Sequence, residues 1–412
     1  MRWLCPCILL KPEAQIRLRS CVAARSVVDV EIGRGKKARQ AYGFDDIAIV
    51  PSRRTRDPQD VDIGWKLGPH LLELPLIGSA MDAVISPATA IQLGKLGGLG
   101  VLNLEGIYTR YENPDAELER IAKLQKNKAT RGLQEIYARP VEPKLIAARI
   151  EEIKRSGVLV AGSLTPQRVR EHYELALQAG LDVLVIQGTV VSAEHVSSNG
   201  QALNLKEFIA EMPIPTLVGG CASYQTALHL MRTGAEGVLV GVGPGHACTT
   251  RGVLGVGVPQ ATAIADAAAA RVQHLLETGK YVNVIADGGM RTGGDIAKAI
   301  ACGADAVMVG SPLSRAKEAP GRGYHWGMAT FHPTLPRGAR VQTEQVASLE
   351  EIVVGPAREN DGTLNLMGAL RTSMATCGYE SIHDFQKAEV MLAPSIKTEG
   401  KVLQQAQNIG MG

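Results

Sequence analysis

From Tyr42 onward the chain alternates short apolar runs with longer stretches whose apolar positions recur at helical spacing. The runs end in Gly, Ser, Asn or Asp and cover Leu76–Ser79, Gly100–Asn103, Val158–Ala161, Val183–Ile186, Thr216–Val218, Val238–Gly241, Val282–Ala286 and Ala306–Gly310. They are continuously apolar rather than alternating, the pattern of parallel strands buried on both faces. Helical stretches separate them at Pro87–Leu96, Pro166–Ala179, Tyr224–Thr233, Gln260–Thr278 and Gly294–Cys302. Eight strand-then-helix units predict an α/β fold, a (β/α)8 TIM barrel spanning residues 31–412 as a single domain. A doubly wound sheet is the rival. It would carry a Gly-rich nucleotide turn after its first strand, and no G-x-G-x-x-G stands there.

Composition narrows the function classes. Of 412 residues, 45% are hydrophobic and 21% charged, which excludes a mainly disordered chain. A net charge of +3 with only 4% aromatic residues offers neither a basic face nor stacking platforms, so no nucleic-acid partner is expected. No apolar run reaches the roughly 18 residues that a membrane span needs. Seven scattered cysteines make a poor disulfide framework and point to a reducing compartment, the cytoplasm. Cys5 and Cys7 lack a second pair at zinc-site spacing. Residues 1–30 combine a short apolar start with Arg17, Arg19 and Arg25 and few acids. They read as a poorly ordered leader, either a transit peptide to a plastid or other organelle or the product of an upstream start codon. Arg34, Lys36, Lys37 and Arg39 read as a solvated arm.

In a barrel of this kind the chemistry sits at the C-terminal ends of the strands. The sharpest feature there is the loop Gly241–Gly257. Gly243, Pro244 and Gly245 leave the backbone free to wrap a ligand, and Cys248 follows beside His246, Thr249, Thr250 and Arg251. A thiol in a polar, glycine-rich loop next to an arginine is a candidate nucleophile. The alternative, a small buried apolar cysteine, suits Cys221 and Cys302 better. The loops Asp287-Gly288-Gly289 and Gly310-Ser311 have the character of a phosphate cradle, with Asp287 able to accept the two hydroxyls of a ribose or, alternatively, to cap a helix. Together these residues describe a site for a nucleoside monophosphate attacked by sulfur.

On these residues the sequence resembles the IMP dehydrogenase/GMP reductase family from about Tyr42 to the C-terminus. The matching segments are Phe44–Ile47 with Pro51, Ser79–Asp82, Gly243–Arg251 followed by Gly255–Gly257 and Pro259-Gln260, Asp287–Gly289, Gly310-Ser311 and Gly327-Met328. The resemblance implies that Cys248 attacks C2 of the purine and that Thr250 belongs to a proton relay. It implies that Ser79, Met81, Gly245, Asp287, Gly289, Gly310, Ser311, Gly327 and Met328 contact the nucleotide. It also implies a nicotinamide cofactor near Gln187, Gly188 and Thr189, and a homotetramer. A monovalent cation, potassium, would lie among the carbonyls of Gly243, Gly245 and Cys248 together with Glu399 and Gly400.

Three departures from the family pattern shape the expected activity. About fifty residues separate Asn103 from the third strand, too few for the CBS modules that a dehydrogenase inserts there. The mobile flap, residues 329–355, has Arg337 and Arg340 but no tyrosine after either, where a dehydrogenase has an Arg-Tyr pair that activates water. A reductase needs instead a threonine with a glutamate to protonate departing ammonia, and Glu351 is the first choice, ahead of Glu344 and Glu350. Gln187 stands where a dehydrogenase has an aspartate for the cofactor. The expectation is therefore an NADPH-dependent reductase converting GMP to IMP and ammonia. The alternatives are an NAD-dependent dehydrogenase converting IMP to XMP, and a catalytically inactive relative that binds purine nucleotides.

Overall fold

The computed structural model describes residues 29–196, 202–394 and 401–407. Eight parallel strands close into a barrel: β1 (Leu76–Gly78), β2 (Leu99–Asn103), β3 (Ala161–Leu164), β4 (Val183–Gln187), β5 (Thr216–Cys221), β6 (Gly237–Val240), β7 (Asn283–Asp287) and β8 (Ala306–Val309). Each pairs with its neighbour in sequence, and β8 pairs with β1 through Val307–Val309 and Leu76–Gly78. This is the (β/α)8 architecture the apolar runs predict.

Both strand faces are buried. Val101, Val183, Val185, Leu217, Leu239, Ile285 and Met308 fill the barrel interior, while Leu184, Ile186, Val284 and Ala286 face the helices. A hairpin of Trp65–Leu67 and His70–Leu72 adds Trp65, Leu67 and Leu72 to the interior cluster. The outer helices include α1 (Pro87–Lys95), α2 (Pro114–Lys123), α3 (Ala129–Tyr137), α4 (Pro143–Lys154), α5 (Val169–Gln178), α6 (Leu205–Ala210), α7 (Tyr224–Met231), α8 (Thr250–Leu254), α9 (Gln260–Thr278), α10 (Gly293–Ala301), α11 (Leu349–Val353) and α12 (Leu366–Thr376). Among the described residues no helix is long and apolar enough to cross a membrane.

One expectation is corrected and another is sharpened. The third strand starts at Ala161, not Val158, because Val160 is held outside the ladder. Its N–H donates to Asp182 Oδ2 at 2.9 Å, and its carbonyl accepts from Asp182 and Val183. The solvated basic arm is exposed as expected but is ordered as an antiparallel hairpin, Asp29–Gly33 with Lys36–Arg39, and Arg39 pairs with Asp266 of α9 at 2.9 Å. The rest of the leader, with Cys5, Cys7 and Cys21, lies outside the described residues. Residues 104–160, between β2 and β3, form α2, α3 and α4.

Candidate active site

The barrel mouth opens into a cavity of ≈1580 Å³, walled by the loops that follow the strands. Ser79, Met81, Gln187, Gly188, Thr189, Gly243, Gly245, Cys248, Thr250, Asp287, Gly289, Gly310, Ser311, Gly327 and Met328 all line it. Residues as far apart in sequence as Ser79 and Met328 thus meet because each follows a barrel strand or the segment beyond the last one.

Cys248 sits in a turn closed by its own N–H donating to the Gly245 carbonyl at 3.0 Å. Its Sγ lies 3.2 Å from Thr250 Oγ1, and Thr250 is fully buried. Arg251 lies within electrostatic reach of the thiol, as expected, and its side chain also has a structural task. It donates to the carbonyls of Val242 at 3.3 Å and Val258 at 2.7 Å, which ties the two ends of the loop together. The other core cysteines behave as expected. Burial pushes the thiols of Cys221 and Cys302 up to about 12, which leaves them unreactive.

Asp287 ends β7. Burial pushes its carboxyl up to about 7, against a hydrogen bond from Gln187 Nε2 at 3.0 Å that favours the ionised form. The cap role considered for Asp287 belongs to Thr292 and Asp295, which form the capping box of α10. Gly288 and Gly289 follow with φ of +77° and +83°, a backbone path that favours glycine. Gln260 Nε2 donates to the carbonyls of Val240, Asp287 and Gly288, fastening the ends of β6 and β7 to each other. Past the end of β8, Ser311 Oγ lies 3.0 Å from Nε2 of the buried His325. Burial, helped by the neighbouring His246, lowers His325 to about 4, so its ring is neutral at physiological pH.

The flap reaches this cavity through its first half only. Phe331, His332, Pro333 and Arg337 line it. The Arg337 carbonyl accepts from Thr249 N–H at 3.2 Å, and Ala339 N–H donates to the Ala247 carbonyl at 2.9 Å. Arg337 Nε is buried without a hydrogen-bond partner. Glu351 is not brought to Cys248. It lies outside the cavity lining as the third residue of α11, where its carboxylate accepts from Ser348 N–H at 2.9 Å and pairs with Arg358 at 2.9 Å. Those partners hold it below the usual carboxylate range. Its S-x-x-E context is a helix-start signature, and that local role claims the side chain. Glu344 and Glu350 are exposed and also outside the lining. Glu399 and Gly400 lie outside the described residues.

Sequence reasoning included Asp82 in the matching segment Ser79–Asp82 but gave it no role of its own. Asp82 is 1% exposed, accepts from Ile107 N–H at 2.9 Å and from the Tyr137 hydroxyl, and is pushed up to about 6 by burial. Arg110 and Glu105 on the cavity wall were missed, since nothing in their local sequence separates them from surface charges.

Comparison with known proteins agrees with this geometry. A family model described as IMP dehydrogenase / GMP reductase domain matches residues 41–401. An uncharacterized oxidoreductase of Mycolicibacterium smegmatis is 48% identical over 87% of this chain and 98% of its own length. The inosine-5'-monophosphate dehydrogenase of Cryptosporidium parvum is 32% identical over 85% of this chain and 92% of its own. The crystal structure of an IMP dehydrogenase/GMP reductase-like protein from Corynebacterium glutamicum superposes with a TM-score of 0.85 at 46% identity, covering 88% of this chain and 97% of that one.

Proposed function

Because the chain belongs to the IMP dehydrogenase/GMP reductase family and is an oxidoreductase of it, we propose that it exchanges hydride at C2 of a purine nucleoside monophosphate through a covalent adduct on Cys248. The observation that carries the reading is the 3.2 Å contact between Cys248 Sγ and Thr250 Oγ1, placed on the same cavity as Asp287 and Ser311. Asp287 would accept the ribose hydroxyls. The backbone of Gly288, Gly289, Gly310 and Ser311 would take the phosphate, leaving the base directed toward the thiol.

A nicotinamide dinucleotide would share the cavity, and when bound it would accept or supply the hydride. Gln187 Oε1 and Arg337 Nε are buried polar atoms without hydrogen-bond partners on residues that line the cavity, as expected where a ligand completes the bonding. Gly188 and Thr189 would contact it. Whether NAD or NADPH is used is decided by assay. Potassium would be held by the carbonyls of Gly243, Gly245 and Cys248, of which that of Gly245 already accepts from Cys248 N–H. Assembly as a homotetramer, measured by light scattering, belongs to the same proposal.

The group exchanged at C2 separates two activities. In one, IMP, NAD and water give XMP, NADH and a proton, or the reverse. In the other, GMP, NADPH and two protons give IMP, NADP and ammonium. Arg337 favours the first. Its backbone carbonyl lies 3.8 Å from Cys248 Sγ and the residue lines the cavity, and a guanidinium only donates, so it would match an oxygen at C2 or an attacking water rather than a 2-amino group. The second reading keeps one observation: no tyrosine follows Arg337 in the flap. With Glu351 engaged elsewhere, ammonia would have to leave with Thr250 as its proton donor.

The test is absorbance at 340 nm in three mixtures: IMP with NAD and potassium, XMP with NADH or NADPH, and GMP with NADPH. A change in either of the first two supports exchange of oxygen. A change in the third alone makes the protein a GMP reductase. No change in any, together with no Cys248 adduct by mass spectrometry, would identify a nucleotide-binding relative without turnover.

A further inference from the structure

The flap is clamped from outside the barrel by the helical excursion between β2 and β3. Arg340 donates to the carbonyls of Ile121, Ala122 at 3.4 Å and Leu124 at 2.7 Å. These lie at the C-terminal end of α2, where the Ile121 carbonyl also accepts from Leu124 N–H at 3.2 Å, so a flap residue more than two hundred positions away adds donors to the helix end. The same guanidinium stacks over the Tyr324 ring at 4.1 Å. Gln134 of α3 donates to the His332 carbonyl at 3.0 Å. Tyr137, the last residue of α3, stacks on Phe331 with centroids 3.7 Å apart and planes within 5°. Its hydroxyl donates to Asp82, next to the loop carrying Ser79 and Met81, and accepts from Trp326 Nε1 at 2.9 Å, just before Gly327 and Met328.

The other side of the flap meets the catalytic loop. Cys248 and Gly338 form an antiparallel bridge, and a Cβ on Gly338 would stand 2.5 Å from Thr330 Oγ1 and 3.3 Å from the Ala247 carbonyl. The approach therefore requires glycine. One short segment, 329–340, thus touches α2 and α3 on one side and the Cys248 backbone on the other.

We propose that Arg340 and Gln134 are positioning residues of the reaction: by docking the flap on α2 and α3 they hold Arg337 beside Cys248. This rests on Cys248 being the nucleophile, but not on which purine is bound. The excursion is thereby part of the active site's support rather than a surface decoration. The docking contacts reach Ser311 only indirectly, through Tyr324 beside His325, whereas the flap backbone bonds directly to the Cys248 loop, so docking acts on the chemical step more than on nucleotide binding.

The test uses the full-length protein, its Arg340→Gln, Arg340→Lys and Gln134→Ala variants, and iodoacetamide labelling of the Cys248 peptide followed by mass spectrometry. Arg340→Gln removes hydrogen bonds from a charged donor and should speed labelling of Cys248 by about tenfold. In the activity that the 340 nm assay identifies, kcat should fall by a similar factor while nucleotide KM stays within about twofold. Arg340→Lys should restore much of both, and Gln134→Ala should show a smaller change in the same direction. Should Arg340→Gln fail to fold, the Gln134→Ala result decides. Unchanged Cys248 labelling in the folded variants would overturn the proposal even if activity fell. Faster labelling with no measurable turnover in the wild type would leave the clamp standing and count instead against the proposed reaction.

Discussion

Gln187 Nε2 donates to Asp287 Oδ2 at 3.0 Å, linking the end of β4 to the end of β7 across the barrel mouth. Gln187 therefore serves the group that would bind ribose as well as lining the space for a cofactor. Burial pushes Asp287 up to about 7, and its ionised form is the better acceptor for two ribose hydroxyls because protonation turns one oxygen into a donor. Nucleotide KM should rise by up to about tenfold for each pH unit below that midpoint. Gln187→Leu removes the one interaction that lowers the Asp287 value, so the midpoint should move to higher pH. Steady-state KM between pH 6 and 9 measures both, and a flat profile in the wild type would refute the role given to Asp287.

The same carboxyl should destabilise the fold at alkaline pH. Its folded value lies above the ordinary 3.8, so between about pH 4 and pH 7 the folded chain binds more protons than the unfolded one. The group's contribution to stability then falls as pH rises through that window and is least favourable above pH 7. Asp287→Asn removes the buried charge. It should raise the melting temperature by about 2 °C at pH 8, give no gain near pH 4, and lose most activity. An equal shift at both pH values would show that the effect is not electrostatic.

Cys248→Ala should abolish the covalent adduct and reduce turnover by at least about a thousandfold. Cys302→Ala should leave turnover intact, because that thiol is buried and held protonated. Arg337→Ala should divide the reaction differently. If Arg337 serves the oxygen at C2, single-turnover hydride transfer from IMP survives while steady-state turnover falls by about a hundredfold. Loss of both phases to the same extent would assign Arg337 to binding rather than to water chemistry.

Most of the fold and much of the candidate site were legible because both follow strand periodicity. Once Val183–Ile186 or Val282–Ala286 is read as a buried strand, the polar residue just beyond it, Gln187 or Asp287, falls at the barrel mouth. The misplaced β3 shows the limit: Val158–Val160 is more apolar than Ala161–Leu164, yet Asp182 captures the Val160 backbone. Glu351 failed for a related reason. Its spacing from Ser348 is a capping box, a local signal stronger than any distant partner, and it was legible in the sequence. Contacts such as Tyr137 with Phe331 or Arg340 with α2 join segments roughly two hundred residues apart and leave no periodic trace.

Glu351→Ala should accordingly act on stability and not on catalysis. The substitution removes the cap on α11 and the pair with Arg358, so the melting temperature should fall. Turnover should remain within about twofold of wild type. A large loss of kcat at unchanged melting temperature would return Glu351 to the proton relay and favour ammonia as the leaving group.

His325 should govern the phosphate side in a pH-dependent way. Its ring is buried against Ser311, with Ser314 Oγ and Thr343 Oγ1 each 3.4 Å from Nδ1, an environment suited to a neutral imidazole. Its folded value of about 4 lies below the ordinary 6.5, so in that interval the unfolded chain takes up a proton that the folded chain refuses. The stability this residue contributes is full above pH 6.5 and is lost as pH falls toward 4. His325→Gln keeps hydrogen-bonding groups but cannot titrate, and should flatten the acid limb of a melting-temperature profile between pH 4 and 6.5. His325→Ala removes the partner of Ser311 and should raise nucleotide KM by about tenfold with a smaller effect on kcat. If KM for the phosphorylated nucleotide and for its nucleoside rise equally, His325 supports the fold in general and not the phosphate loop.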